Sequence, residues 1–264
     1  MKCRPPAVAG SFYPADPQVL DSEVRGFLQD TTPGSDQPPK AIIVPHAGYV
    51  YSGAVAASAY RSLEPFKGKL QRVVLLGPSH YVGFRGLAVP GVETDAFSTP
   101  LGVIPLDREC IDDLLATFPQ VCARDDAHSK EHALEVQLPF LQRALGVFLL
   151  VPIVVGEAAP AETAAVIEHL WGGPETLFVV SSDLSHYHDY QTARRCDRAT
   201  ARAISELEFE HLTPEDACGC YPIQGLLAAA RDRGLKAEVI DLRNSGDTAG
   251  PRDRVVGYAA VAIG

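Results

Sequence analysis

Short aliphatic runs punctuate this chain, and stretches of helical spacing lie between them. The runs cover residues 41–44, 72–76, 148–155, 176–181, 236–242 and 255–262. A strand covered on both faces has no polar side, so it reads as an unbroken apolar run. The intervening helical patterns fall at 18–29, 53–63, 107–117, 132–145, 161–170, 191–207 and 223–233. Runs alternating with helices predict a mainly parallel central sheet with helices on both sides, a three-layer α/β/α sandwich. Residues 87–106 predict a β-rich excursion, and the polar Pro/Gly segment at 31–40 predicts a loop. No internal repeat interrupts the pattern, so residues 1–264 are expected to form one domain.

Composition narrows the function classes. The chain has 264 residues, of which 46% are hydrophobic, enough for a sizeable core. Its formal charge is −10, which disfavours a phosphate-backbone partner, so no nucleic acid is expected. No apolar stretch is long enough to span a bilayer, so no membrane partner is expected. The opening residues lack the apolar core of a secretion signal, which predicts a cytoplasmic protein. Six cysteines are then expected as reduced thiols, and their spacing holds no CxxC pair.

The chemistry gathers where the runs stop. His46, His80 and His186 each follow a separate aliphatic run. In open α/β sheets, ligands bind outside the carboxyl ends of the strands, and imidazole serves there as metal ligand or as acid and base. Any one of these histidines would be an ordinary loop residue; three at separate run ends point to a shared site. Asp183 stands three residues before His186, where a carboxylate can set an imidazole's tautomer. His132 and Glu135 share a helical face as ligands or supporting groups, or simply begin a helix. Cys218 and Cys220 precede a helical pattern, where a thiol's pKa is expected to be depressed. No GxGxxG, phosphate loop or GxSxG elbow is present, so nucleotide binding and serine hydrolysis lack support.

Seven stretches together carry a family resemblance: VAGSFYP, VPHAGYVYSG, LLGPSHY, EHALEVQLPFLQ, SSDLSHY, CGCYPI and NSGDTAG followed by RVVGYAA. In this order the chain resembles the Memo family, in its prokaryotic AmmeMemoRadiSam form. The resemblance implies a fold similar to class III extradiol dioxygenases. It implies His46, His80 and Cys218 as metal ligands and His186 with Asp183 as the acid/base pair, with His132 and Glu135 in a supporting role. Cys220 is a second candidate sulfur, because many relatives carry a basic residue or His in that part of the motif. The expected metal is iron or copper, with zinc also possible. A thiolate in place of the dioxygenase carboxylate is a softer donor, so the fold does not carry ring cleavage with it. The expected function is redox or oxygen-linked chemistry. The alternative is a module that binds a small molecule, a peptide or a partner in the same cleft, with Tyr49 and Tyr51 on its wall; a zinc hydrolase is a third class. Radical-SAM and AMMECR-type proteins are the partners that the resemblance implies.

Overall fold

The computed structural model describes residues 2–29 and 37–264. In chain order these form β1 (Lys2–Arg4), α1 (Pro17–Gln29), β2 (Ala41–Val44), α2 (Tyr49–Tyr60), β3 (Arg72–Pro78), β4 (Leu87–Val89), β5 (Thr94–Thr99) and β6 (Gly102–Pro105). They continue with α3 (Arg108–Thr117), β7 (Val121–Ala123), α4 (Asp125–Ser129), α5 (His132–Glu135), α6 (Leu138–Leu145), β8 (Leu149–Val155), α7 (Pro160–His169) and β9 (Thr176–Ser181). The last are β10 (His186–His188), α8 (Tyr190–Ser205), α9 (Cys220–Asp232), β11 (Ala237–Asn244) and β12 (Val255–Ile263). The loop expected at 31–40 lies largely outside the described residues.

The central sheet runs β10-β12-β2-β9-β3-β8-β4-β7, with β11 also paired to β12. Strands β2, β9, β3 and β8 are parallel neighbours. All four residues of β2 and all six of β9 are buried, which is why their sequences are aliphatic without alternation. The flanks are antiparallel: β12 runs against β2, and β4 against β8. One helical layer, α1, α2 and α6, packs through α2 on β2, β11 and β12; the other packs through α9 on β3 and β9, with α7 against α9. The fold is thus the expected α/β/α sandwich, parallel at its centre. The excursion at 87–106 divides, β4 joining this sheet while β5 and β6 form a smaller one with β1.

The helices expected at 53–63 and 132–145 depart furthest from their expected bounds. Helix α2 begins at Tyr49, not at residue 53. Gly53 is therefore inside the helix, and a Cβ there would sit 2.6 Å from the Phe27 ring of α1. The glycine allows close helix packing and makes no turn. The helix expected over 132–145 breaks into α5 and α6 at Val136–Gln137, and Pro139 sits in the first turn of α6, where its missing N–H leaves no bond unmade. The break leaves Gln137 buried.

Glu135, at the end of α5, is fully buried. Its carboxylate accepts from Arg4 Nη1 at 2.8 Å, Ala7 N at 2.7 Å, Val8 N at 2.9 Å and the Tyr13 hydroxyl at 2.7 Å. Arg4 spends its other donors on the carbonyls of His128 and Glu131. The amino-terminal segment is thereby clamped to α5. Glu135→Ala leaves the buried Arg4 guanidinium unpaired, and its unfolding free energy in urea should fall by about 3–5 kcal/mol. A loss of about 1 kcal/mol or less, the scale of an exposed pair, would contradict this role.

Candidate metal centre

Strand register builds the site. Val44 pairs with Ser181, so positions two residues further along each strand are level. Accordingly the His46 backbone N–H donates to Asp183 Oδ1 at 2.7 Å. Because β9 separates β2 from β3, those two strand ends lie roughly 9–10 Å apart. Imidazole side chains span the gap: the rings of His46 and His80 are 5.1 Å apart between centroids. A third ring, His132, enters from the first turn of α5, 4.6 Å from His80 and 5.4 Å from His46. One nitrogen of each lies within 4.8 Å of the others. His46 is buried, His132 half-buried and His80 exposed, so the group opens to solvent at His80.

Three consecutive residues at the end of β9 hold the surrounding segments. Ser181 Oγ is 2.9 Å from His46 Nδ1. Ser182 Oγ accepts from Gly219 N at 2.8 Å. Asp183 receives His46 N on its carboxylate and Cys218 N on its carbonyl, the latter at 3.3 Å. On the other side, Glu131 accepts from His80 N at 2.7 Å and stands 2.8 Å from His80 Nδ1. It also caps α5 through Ala133 N. Burial works against the Glu131 charge, yet its bonds and proximity to His80, with the backbone donors, hold its pKa below the ordinary carboxylate value. A carboxylate can only accept, so His80 Nδ1 carries a proton and Nε2 is the nitrogen turned away from Glu131.

The donor group differs in one member from the expected ligands. His46 and His80 meet as expected, but the compact group contains His132 in place of Cys218. Cys218 touches its edge, with Sγ 3.2 Å from His46 Nε2. Of the two candidate sulfurs, Cys220 is buried in the apolar core. Gly219 permits the approach of Cys218, since a Cβ there would lie 2.6 Å from Ser182 Cβ. The depressed thiol pKa expected at a helix start is overturned: burial, with Asp183 adding to it, pushes Cys218 up to about 12. Burial and then neighbouring imidazoles hold His46 well below the ordinary value, and burial with His80 lowers His132 to about 4.

Other expected roles shift as well. Asp183 does not orient His186: its carboxylate accepts from the backbone N–H of His46, and burial raises its pKa to about 7. His186 is half-buried, and burial lowers its pKa. Glu135 is no support for the histidines, because its oxygens hold the amino-terminal segment. Tyr49 is no cleft wall; it is 3% exposed, and its hydroxyl donates to Val136 O at 2.7 Å. Tyr51 does reach solvent, as do Tyr81 beside His132 and Tyr187 beside His186. Sequence reasoning missed Glu131, Ser181 and Gln137. Glu131 was findable as an acid at a helix start, immediately before His132.

Imidazoles gathered at the ends of two parallel strands and at a helix start, in an α/β/α sandwich, make a candidate metal-binding protein. The chain belongs to the Memo family: the family described as Memo-like protein matches residues 4–262. A MEMO1 family protein of Aquifex aeolicus is 39% identical over 98% of both chains. One from Methanosarcina barkeri is 37% identical over 98% of this chain and 99% of its own. In fold, the chain is similar to the crystal structure of an uncharacterized protein from Escherichia coli K12, with a TM-score of 0.52 at 16% identity, covering 85% of this chain and 99% of that one.

Buried neutral histidines make stability depend on pH. His128 and His132 have folded pKa values of about 4 against an ordinary 6.5. The unfolded chain therefore takes up protons below about 6.5 that the folded one refuses until about 4. Asp183 acts oppositely over the range from 7 down to 3.8, one group against these histidines. The urea midpoint of EDTA-treated protein should fall as pH drops from 7 to 4, less steeply in His128→Asn. Equal slopes in both proteins would rule out His128 as a source.

Proposed function

We propose that the protein is a cytoplasmic metalloprotein that holds iron or copper on His46 and His80 and carries out redox or oxygen-linked chemistry. The observation that carries this reading is the group of three imidazoles with donor atoms mutually within 4.8 Å. The donor set fits such an ion. His80 has its second nitrogen committed to a carboxylate, as metal-ligating histidines ordinarily do. A thiol stands at the edge, and imidazole with sulfur suits copper or iron better than magnesium or calcium. Cys218 is the third donor that family resemblance favours, and His132 is the one proximity favours. The six described cysteines are free thiols, which accords with a reducing compartment.

Bound there, the ion would supply one-electron chemistry. The chain's own residues bind, orient and carry protons. Glu131 holds His80 in place, and Asp183 anchors the His46 backbone. His186, half-buried, would take or give a proton at the site's edge. A second reading, a peptide or partner surface at the same place, draws on the exposed Tyr51, Tyr81 and Tyr187, since tyrosine is favoured in recognition surfaces.

Anaerobic purification followed by metal analysis tests the reading. His46→Ala and His80→Ala should both lose the metal. Cys218→Ser should retain it but shift competition from Cu(I) toward Fe(II), and should flatten a wild-type affinity that rises with pH as the thiol gives up its proton. If competition and pH profile stay unchanged in Cys218→Ser, His132 is the third donor. Wild-type protein without metal affinity would turn the assignment toward the partner surface.

For an active enzyme, His186→Ala should keep its metal while losing roughly 10²–10⁴-fold in turnover, the scale of a general acid or base. Loss of metal in that variant would make His186 a ligand.

A further inference from the structure

The motif EHALEVQLPFLQ supplies more than His132. Its Gln137 faces neither solvent nor the donor group, and is 1% exposed where α5 and α6 break. The amide is fully employed. Gln137 Oε1 accepts from the Tyr60 hydroxyl at 2.9 Å. Gln137 Nε2 donates to Pro45 O at 2.9 Å and to Ser181 Oγ at 2.8 Å. A backbone carbonyl can only accept, so the group facing Pro45 is the NH₂ and the amide's orientation is determined. Ser181 in turn donates to Ala133 O at 2.6 Å. A hydroxyl has one proton, and that bond uses it. Toward everything else Ser181 Oγ is an acceptor, and its remaining neighbour is His46 Nδ1 at 2.9 Å.

We infer that Gln137 and Ser181 are positioning residues that force His46 into the Nδ1–H tautomer, so that its Nε2 lone pair faces the histidine group. The inference deepens the metal-binding reading and rests on it for its purpose. The arrangement itself follows from counting donors and acceptors. All three side chains are buried, so no solvent molecule relieves a wrong tautomer, and the misplaced lone pair would stand against a lone pair of Ser181. His80 has its Nδ1 proton held by another device, the Glu131 carboxylate. One ligand is thus set by a neutral relay and the other by a charge.

The test reads the tautomer directly. Ring ¹⁵N–¹H correlation spectra of EDTA-treated, ¹⁵N-labelled protein, with His46 assigned by its loss in His46→Gln, should show Nδ1 protonated and Nε2 bare. Ser181→Ala should move His46 to Nε2–H, where it can pair with Cys218, and should weaken Zn²⁺ binding roughly 10–100-fold, the effect of removing an outer partner of a ligating histidine. Gln137→Leu should do the same less completely, and Ser181→Thr, which keeps the hydroxyl, should restore both. Nε2–H in the wild type overturns the inference, whatever the variants do, so a variant that fails to fold does not shield it. An unchanged tautomer or Zn²⁺ affinity in folded Ser181→Ala also overturns it. If wild type shows Nδ1–H yet binds no Zn²⁺, the metal reading falls, and with it the proposed purpose of the lock, while the tautomer assignment stands.

Discussion

Parallel strands that end side by side leave polar groups stranded at the edge of an apolar core, and the site grows out of satisfying them. Past Val44 and Ser181 the ladder between β2 and β9 stops. Ser181, Ser182 and Asp183 take over, and between them they serve three incoming segments. The amino-terminal approach of α9, the turn after β2 and the α5–α6 break are all tied to that one short stretch. A buried hydrogen bond left unmade there would cost about as much as several made ones contribute, so the segments have little freedom to drift. The histidines inherit their closeness from this constraint.

Much of this was legible in the sequence. β2 and β9 were readable to the residue, because a strand covered on both faces has no alternative pattern. β1, β7 and β10, three residues each, were not, since runs that short have no period to detect. Two histidines of the group were readable from their position after strands. His132 was readable only as one of several options, because it comes from a helix start and follows no strand. Glu135 is three positions from His132 on the same short helix, yet its carboxylate is captured by Arg4 and the backbone of a segment far away in sequence. Sequence spacing records local geometry only, and what Glu135 does is decided by a long-range contact.

Electrostatics explains the remaining mismatch. The helix start before α9 suggested a reactive thiolate at Cys218, since a helix amino terminus favours negative charge. Burial and the adjacent Asp183 outweigh that field. Desolvation disfavours the thiolate over the short range that matters, whereas the helix acts from one end and through one turn. Glu131 is the carboxylate tied directly to an imidazole of the histidine group.

The clamp between Arg4 and Glu135 has a consequence in time. The two residues are separated by 131 positions, and β2 lies between β9 and β12, both encoded far later. At roughly 5–20 residues per second on the ribosome, the first segment waits on the order of ten seconds for its anchor to emerge. The apolar AIIV strand waits longer for neighbours on both edges. During that interval a fully buried strand of the finished protein is an exposed, unpaired one, so the nascent chain depends on chaperone shelter or on speed of late assembly more than its final stability would suggest.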